Sequence, residues 1–164
     1  MTLEVITGPM FSGKSTELIR AVKREGYAKK NISLFKPDID KRYGEDKIVT
    51  HDGLSFPTYN IATTDDGVKQ IYEIVKQNKL QVIGIDELDF FPSSIVDVIE
   101  RLADEGVKVI VSGLNLNFRG EPFDVIAQLL PKADQIKHFS AVCAVCGNTA
   151  SRTQRLIDGE PAHF

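Results

Sequence analysis

The stretch "GPMFSGKST", residues 8–16, follows at once on the apolar, β-branched run "LEVIT" at 3–7. No other feature constrains the fold as tightly. Gly8, Gly13, Lys14 and Ser15 fill the pattern G-x-x-x-x-G-K-[ST] without a gap. A turn alone would need the glycines; it would not need a lysine and two hydroxyls. The glycines let successive backbone N–H groups point inward at an anion, and the following helix adds its positive end. Lys14 is the residue type that reaches β- and γ-phosphates, and Ser15 the type that ligates Mg²⁺. Gly8, Pro9, Met10, Phe11, Ser12, Gly13, Lys14, Ser15 and Thr16 are therefore expected to hold a nucleoside triphosphate such as ATP, with Mg²⁺ at Ser15.

Strand-to-helix junctions of this kind belong to parallel sheets, and the rest of the chain repeats the alternation. Strands are expected near 3–7, 31–37, 80–86, 107–113 and 134–139. Helices are expected over 14–27, 63–77, 92–105 and 123–130. Residues 38–60 are polar and rich in Asp and Gly, and read as one long loop. The expected class is α/β: a mainly parallel, RecA-like phosphate-loop sheet with helices on both faces, over residues 1–139. From Ser140 the long periodic segments stop, and 140–164 reads as a small separate module.

Composition narrows the partners. The 164 residues carry a formal charge of −3, without the basic excess that a phosphate-backbone footprint needs, so no nucleic acid is expected. No apolar run approaches the roughly 18 residues of a membrane span, and no signal segment opens the sequence. A cytoplasmic protein without membrane contact is the default. The only cysteines, Cys143 and Cys146, suggest metal before disulfide in a reducing compartment, with a redox pair as the alternative.

"VIGIDELDFF" (82–91) places Asp86 and Glu87 at the carboxyl end of a buried strand, the edge where doubly wound sheets bind ligands. Asp86 stands where phosphate-loop enzymes keep the acid associated with Mg²⁺. Glu87, one residue on, can accept a proton from an attacking hydroxyl or water. A guanine-reading N-K-x-D is absent: "NKLQ" at 78–81 has Gln81 in the acid's place and precedes the acidic strand. The motifs alone leave three readings open: a kinase, a phosphate-loop ATPase, or a nucleotide-binding remnant.

Together the motifs resemble the type II thymidine kinase family. "ITGPMFSGKSTEL", "FKPDIDKRY" with "THDG", "IDELDFF", "GLNLNFRGEPF" and "AVCAVCGNTASRTQRL" are similar to its segments in family order, over about residues 3–162. The resemblance implies transfer of phosphate from ATP to the 5′-hydroxyl of thymidine or deoxyuridine. It implies Glu87 as general base, Asp86 beside the metal and Arg42 facing phosphate. It also implies Met10, Phe90, Leu114, Phe118 and Phe123 around the nucleoside. Cys143 and Cys146 become half the ligands of a zinc-ribbon and lasso module, incomplete in these residues, and the assembly a homotetramer. Two departures follow. Asp89 stands where the family has glutamine. The pattern also continues past Phe164 into a base-gripping loop and further metal ligands, so a chain ending there is expected to bind ATP well but thymidine weakly.

Overall fold

The computed structural model describes residues 2–38, 47–49, 55–154, 156–157 and 160–161. Among these, seven strands form one sheet: β1 (Thr2–Thr7), β2 (Ile32–Pro37), β3 (Lys47–Val49), β4 (Ser55–Ile61), β5 (Val82–Ile85), β6 (Lys108–Gly113) and β7 (Gln135–His138). The order is β3-β4-β2-β5-β6-β1-β7. All neighbours run parallel except β3, which pairs antiparallel with β4. Among the described residues the α-helices are α1 (Lys14–Tyr27), α2 (Asp65–Gln77), α3 (Ile95–Asp104) and α4 (Asp124–Leu129).

The strand sequences explain the two-sided burial. β1 and β6 are buried along nearly their whole length, and successive side chains alternate between faces. Val5 joins one core with Phe35, Ile85 and the apolar sides of α2, α3 and α4. Ile6 joins the other with Leu34, Ile110 and α1. Gly84 sets how near α1 lies: a Cβ there would stand 2.8 Å from Val22 and 3.2 Å from Leu18. The helix that carries the phosphate loop is thus pressed onto β5, the strand that carries the acids.

The expected strands and helices form within a few residues, but the long loop is corrected. Residues 47–49 and 55–61 are strands, and β4 extends the parallel sheet beyond β2. Pro57, lacking an N–H, fits only an edge or the end of a ladder. It sits opposite Lys47 of the edge strand β3, while Thr58 and Ile61 are buried. Thr58 and Ile61 lie on opposite faces of β4, so its parallel pairing with β2 and burial at these two positions outweigh local turn propensity. Beyond β7 lie two short hairpins, β8 (Ala141–Val142) with β9 (Thr149–Ala150), and β10 (Leu156–Ile157) with β11 (Glu160–Pro161).

Candidate functional site

The phosphate loop leaves the carboxyl end of β1 and enters α1 at Lys14. Gly8 (φ 153°) has no room for a side chain, because a Cβ would collide with the Phe139 carbonyl. The Phe139 N–H in turn donates to Thr7 O at 2.7 Å, so the end of β7 supports the loop from beneath. Phe11 (φ 60°) and Gly13 (φ 89°) are left-handed. A Cβ at Gly13 would meet nothing within 4 Å, so its glycine serves the backbone bend and not packing. No side chain caps α1, which leaves its first N–H groups to an anion.

Lys14 Nζ donates to Pro9 O at 2.6 Å, and Ser12 Oγ donates to the same carbonyl at 2.8 Å. Burial holds the Lys14 pKa below the usual lysine value, opposed by the charges of Asp89 and Asp86. Ser15 and Asp86 line one cavity with Leu34, Lys36 and Thr58, under the first turns of α1. Thr16 is exposed on the outside of α1 and Phe11 points to solvent at 94% exposure.

Asp86 continues β5 by one residue, its N–H donating to Phe35 O at 2.9 Å. Its Oδ1 accepts the Ser112 hydroxyl and, at 2.9 Å, the Glu87 N–H. Ser112 comes from the neighbouring strand β6, so two strands fix one carboxylate. Glu87 is left-handed (φ 49°, ψ 49°) and precedes a 3₁₀ turn, Leu88–Phe90. Such a conformation costs a non-glycine residue about 1–3 kcal/mol and gathers at functional sites. The half-buried Glu87 makes no capping bond. In the turn, burial raises the Asp89 carboxyl above its usual range, opposed by the Leu114 N–H, its own N–H and Lys14.

Beyond β6 the chain forms a self-bonded loop. Asn117 Oδ1 accepts the N–H groups of Arg119 and Glu121 at 2.9 and 3.0 Å, and Phe123 N–H donates to Asn115 O at 3.1 Å. Leu116 bridges Pro122. The five residues suggested for a nucleoside are not core: Leu114, Phe118 and Phe123 are half-buried, while Met10 and Phe90 are exposed. The usual fate of Phe is burial, so three phenylalanines left partly open on two adjacent segments offer stacking surface.

Cys143 and Cys146 lie in the turn between β8 and β9, where Gly147 N–H donates to Cys143 O at 2.9 Å. The N–H groups of Cys146 and Val145 hold the Cys143 thiol below its usual pKa, as suits a metal thiolate. Among the described residues no group of three or more His, Cys, Asp or Glu side chains could hold a metal ion. Arg42 lies outside the described residues.

The structure adds partners that the motifs did not single out. Ser112 bonds Asp86; a hydroxyl at the carboxyl end of the apolar run "VKVIVSG" was the available signal. Thr153 Oγ1 accepts the Met10 N–H at 2.8 Å, and Arg152 lies against Gly120. Nothing local in "SRTQR" announces either contact.

Two comparisons bear on this arrangement. The family model "Thymidine kinase" matches residues 1–163. A curated protein of Thermococcus kodakarensis (strain ATCC BAA-918 / JCM 12380 / KOD1), named "Thymidine kinase", is 54% identical over 160 residues, covering 98% of this chain and 81% of that protein.

Proposed function

The chain belongs to the thymidine kinase family, and from that premise we propose how its residues phosphorylate thymidine with ATP as donor. The observation that carries the proposal is the meeting of three segments at one sheet edge. The phosphate loop follows β1, the acids follow β5 and the aromatic loop follows β6, and β6 lies between the other two strands.

Residues 8–16 cradle the triphosphate, with Arg42 as a second phosphate contact by family resemblance. Lys14 leaves the Pro9 carbonyl for the phosphate oxygens. Ser15 and Asp86 would hold magnesium, which would supply charge neutralisation at the phosphate oxygens. Their common cavity, and the pinning of Asp86 Oδ1, support that pairing. Met10, Phe90, Leu114, Phe118 and Phe123 receive the nucleoside. Glu87 accepts the proton of its 5′-hydroxyl as that oxygen bonds to the γ-phosphorus and ADP departs. Deoxyuridine, which lacks only the thymine methyl, is accepted as well.

Residues 140–164 are the start of a zinc-ribbon and lasso module, in which Cys143 and Cys146 would supply two of the four ligands; the lowered Cys143 pKa supports this. By family resemblance the assembly is a homotetramer in the cytoplasm. Among the described residues no helix is long and apolar enough to cross a membrane.

The test is ADP release with and without thymidine. Thymidine-dependent release is expected. Turnover that ignores thymidine would make the protein an ATPase; binding of both ligands without turnover would make it a remnant. Native mass spectrometry counts subunits and zinc.

A further inference from the structure

The mechanism above leaves one acid unused, and it stands where the parts of the site meet. Asp89 lies in the turn that follows Glu87, between Leu88 and Phe90. Its Oδ1 accepts the backbone N–H of Leu114 at 3.0 Å. The bond crosses from the exit of β5 to the exit of β6. Gly113 makes the room: a Cβ there would stand 3.3 Å from Asp89 Oδ1 and 2.9 Å from Ile126 Cδ1.

Leu114 is the first residue beyond β6. After it the chain is bonded mainly to itself, through Asn117 and Glu121, the Leu116–Pro122 bridge and the Phe123–Asn115 bond. A loop closed in this way is placed by its anchors: α4 behind Phe123, the Arg152 guanidinium against Gly120, and the joint with the sheet at Leu114. The Asp89 bond is at that joint. Phe118 rides on the loop, while Glu87 and Phe90 ride on the turn. A slip at Leu114 would therefore shift one wall of the pocket against the proton acceptor, and such misplacement is costly to positioned chemistry.

We propose that Asp89 is a positioning residue for the nucleoside: by accepting the Leu114 N–H it registers the 114–123 loop against the turn that bears Glu87 and Phe90. The inference rests on the assignment of that loop as nucleoside wall. The required property is an acceptor oxygen on an arm of this length, not a negative charge. Asparagine keeps that oxygen at the same reach, and alanine removes it.

The experiment compares Asp89→Ala and Asp89→Asn in the full chain. It reads the KM for thymidine, the KM for ATP and hydrogen exchange at the Leu114 amide. Asp89→Ala is expected to raise the thymidine KM about 3–10-fold, the worth of one hydrogen bond, with the ATP KM changed less than about twofold. Its Leu114 amide should exchange about tenfold faster or more. Asp89→Asn should stay within about twofold of the parent in all three. Should Asp89→Ala not fold, Asp89→Leu, of similar size and without an acceptor, reads the same loss. The proposal is overturned if Asn damages as much as Ala, if both KM values rise together, or if Leu114 exchange is unmoved. Faster exchange with an unchanged thymidine KM also overturns it, and places the fault in the loop assignment and not in the bond.

Discussion

At the scale of single residues, the proposed site separates groups that hold charge from groups that move protons. Asp86 is fixed on two sides by Ser112 and the Glu87 N–H, as a metal-side acid should be. Glu87 sits just past the strand end in a left-handed backbone conformation. Glu87→Gln should lower kcat by about 10²–10⁴ while ATP still binds. Turnover like that of the parent would remove Glu87 from the role of base. Lys14→Ala removes the one loop cation, and phosphoryl transfer should fall by about 10² or more without unfolding. A variant that melts early, in a parent whose melting ignores ATP·Mg²⁺, would make Lys14 structural. The motif made Gly8, Gly13, Lys14 and the acid pair legible because each serves a local backbone or charge requirement. Ser112, the Asp89 bond and Thr153 were not legible, since their partners come from distant parts of the chain.

At the scale of elements, α1 shows what was readable and what was not. Its span follows from Leu18, Ala21 and Val22 at helical spacing after the glycine loop. β4 was hidden because Pro57 and polar neighbours mimic a loop, and only the sheet beside it supplies the reason to be extended. The way α1 is pinned was equally hidden. Near its end, Glu25 meets Lys108 at the start of β6 at 2.6 Å and Lys30 at 2.5 Å. The Lys108 hydrogen bond, then that of Lys30, holds the Glu25 carboxyl down at about 2 from an ordinary 4.5. A carboxyl lowered on folding stabilises above its unfolded pKa, and the contribution fades as pH falls towards the folded one. Glu25→Gln should therefore melt about 2–6 °C below the parent at pH 7. The gap should narrow from pH 4.5 downward and close near pH 2. A gap of constant size across that range would show that the pair does not hold α1 through its charge.

At the scale of the whole molecule, the sheet core and the segment beyond β7 meet at the phosphate loop. Neither apolar core includes a residue past Phe139, so the catalytic sheet does not depend on residues 140–154 for its packing. Met10 N–H donates to Thr153 Oγ1 at 2.8 Å, and the Arg152 guanidinium fills the space a side chain would need at Gly120. One segment thus touches both the loop assigned to phosphate and the loop assigned to nucleoside. Thr153→Val keeps the shape of the side chain and removes the acceptor, which leaves the Met10 N–H to water. Because the bond is exposed, global stability should hardly change, and the melting temperature should stay within about 2 °C. If Met10 borders both ligands as proposed, the KM values for ATP and thymidine should rise together, each by about 2–10-fold. That joint rise separates this contact from the Asp89 bond, which is expected to act on thymidine alone. Steady-state kinetics with each substrate varied in turn reads the difference. Unchanged KM values with a lowered melting temperature would mean that Thr153 only fastens the segment to the sheet.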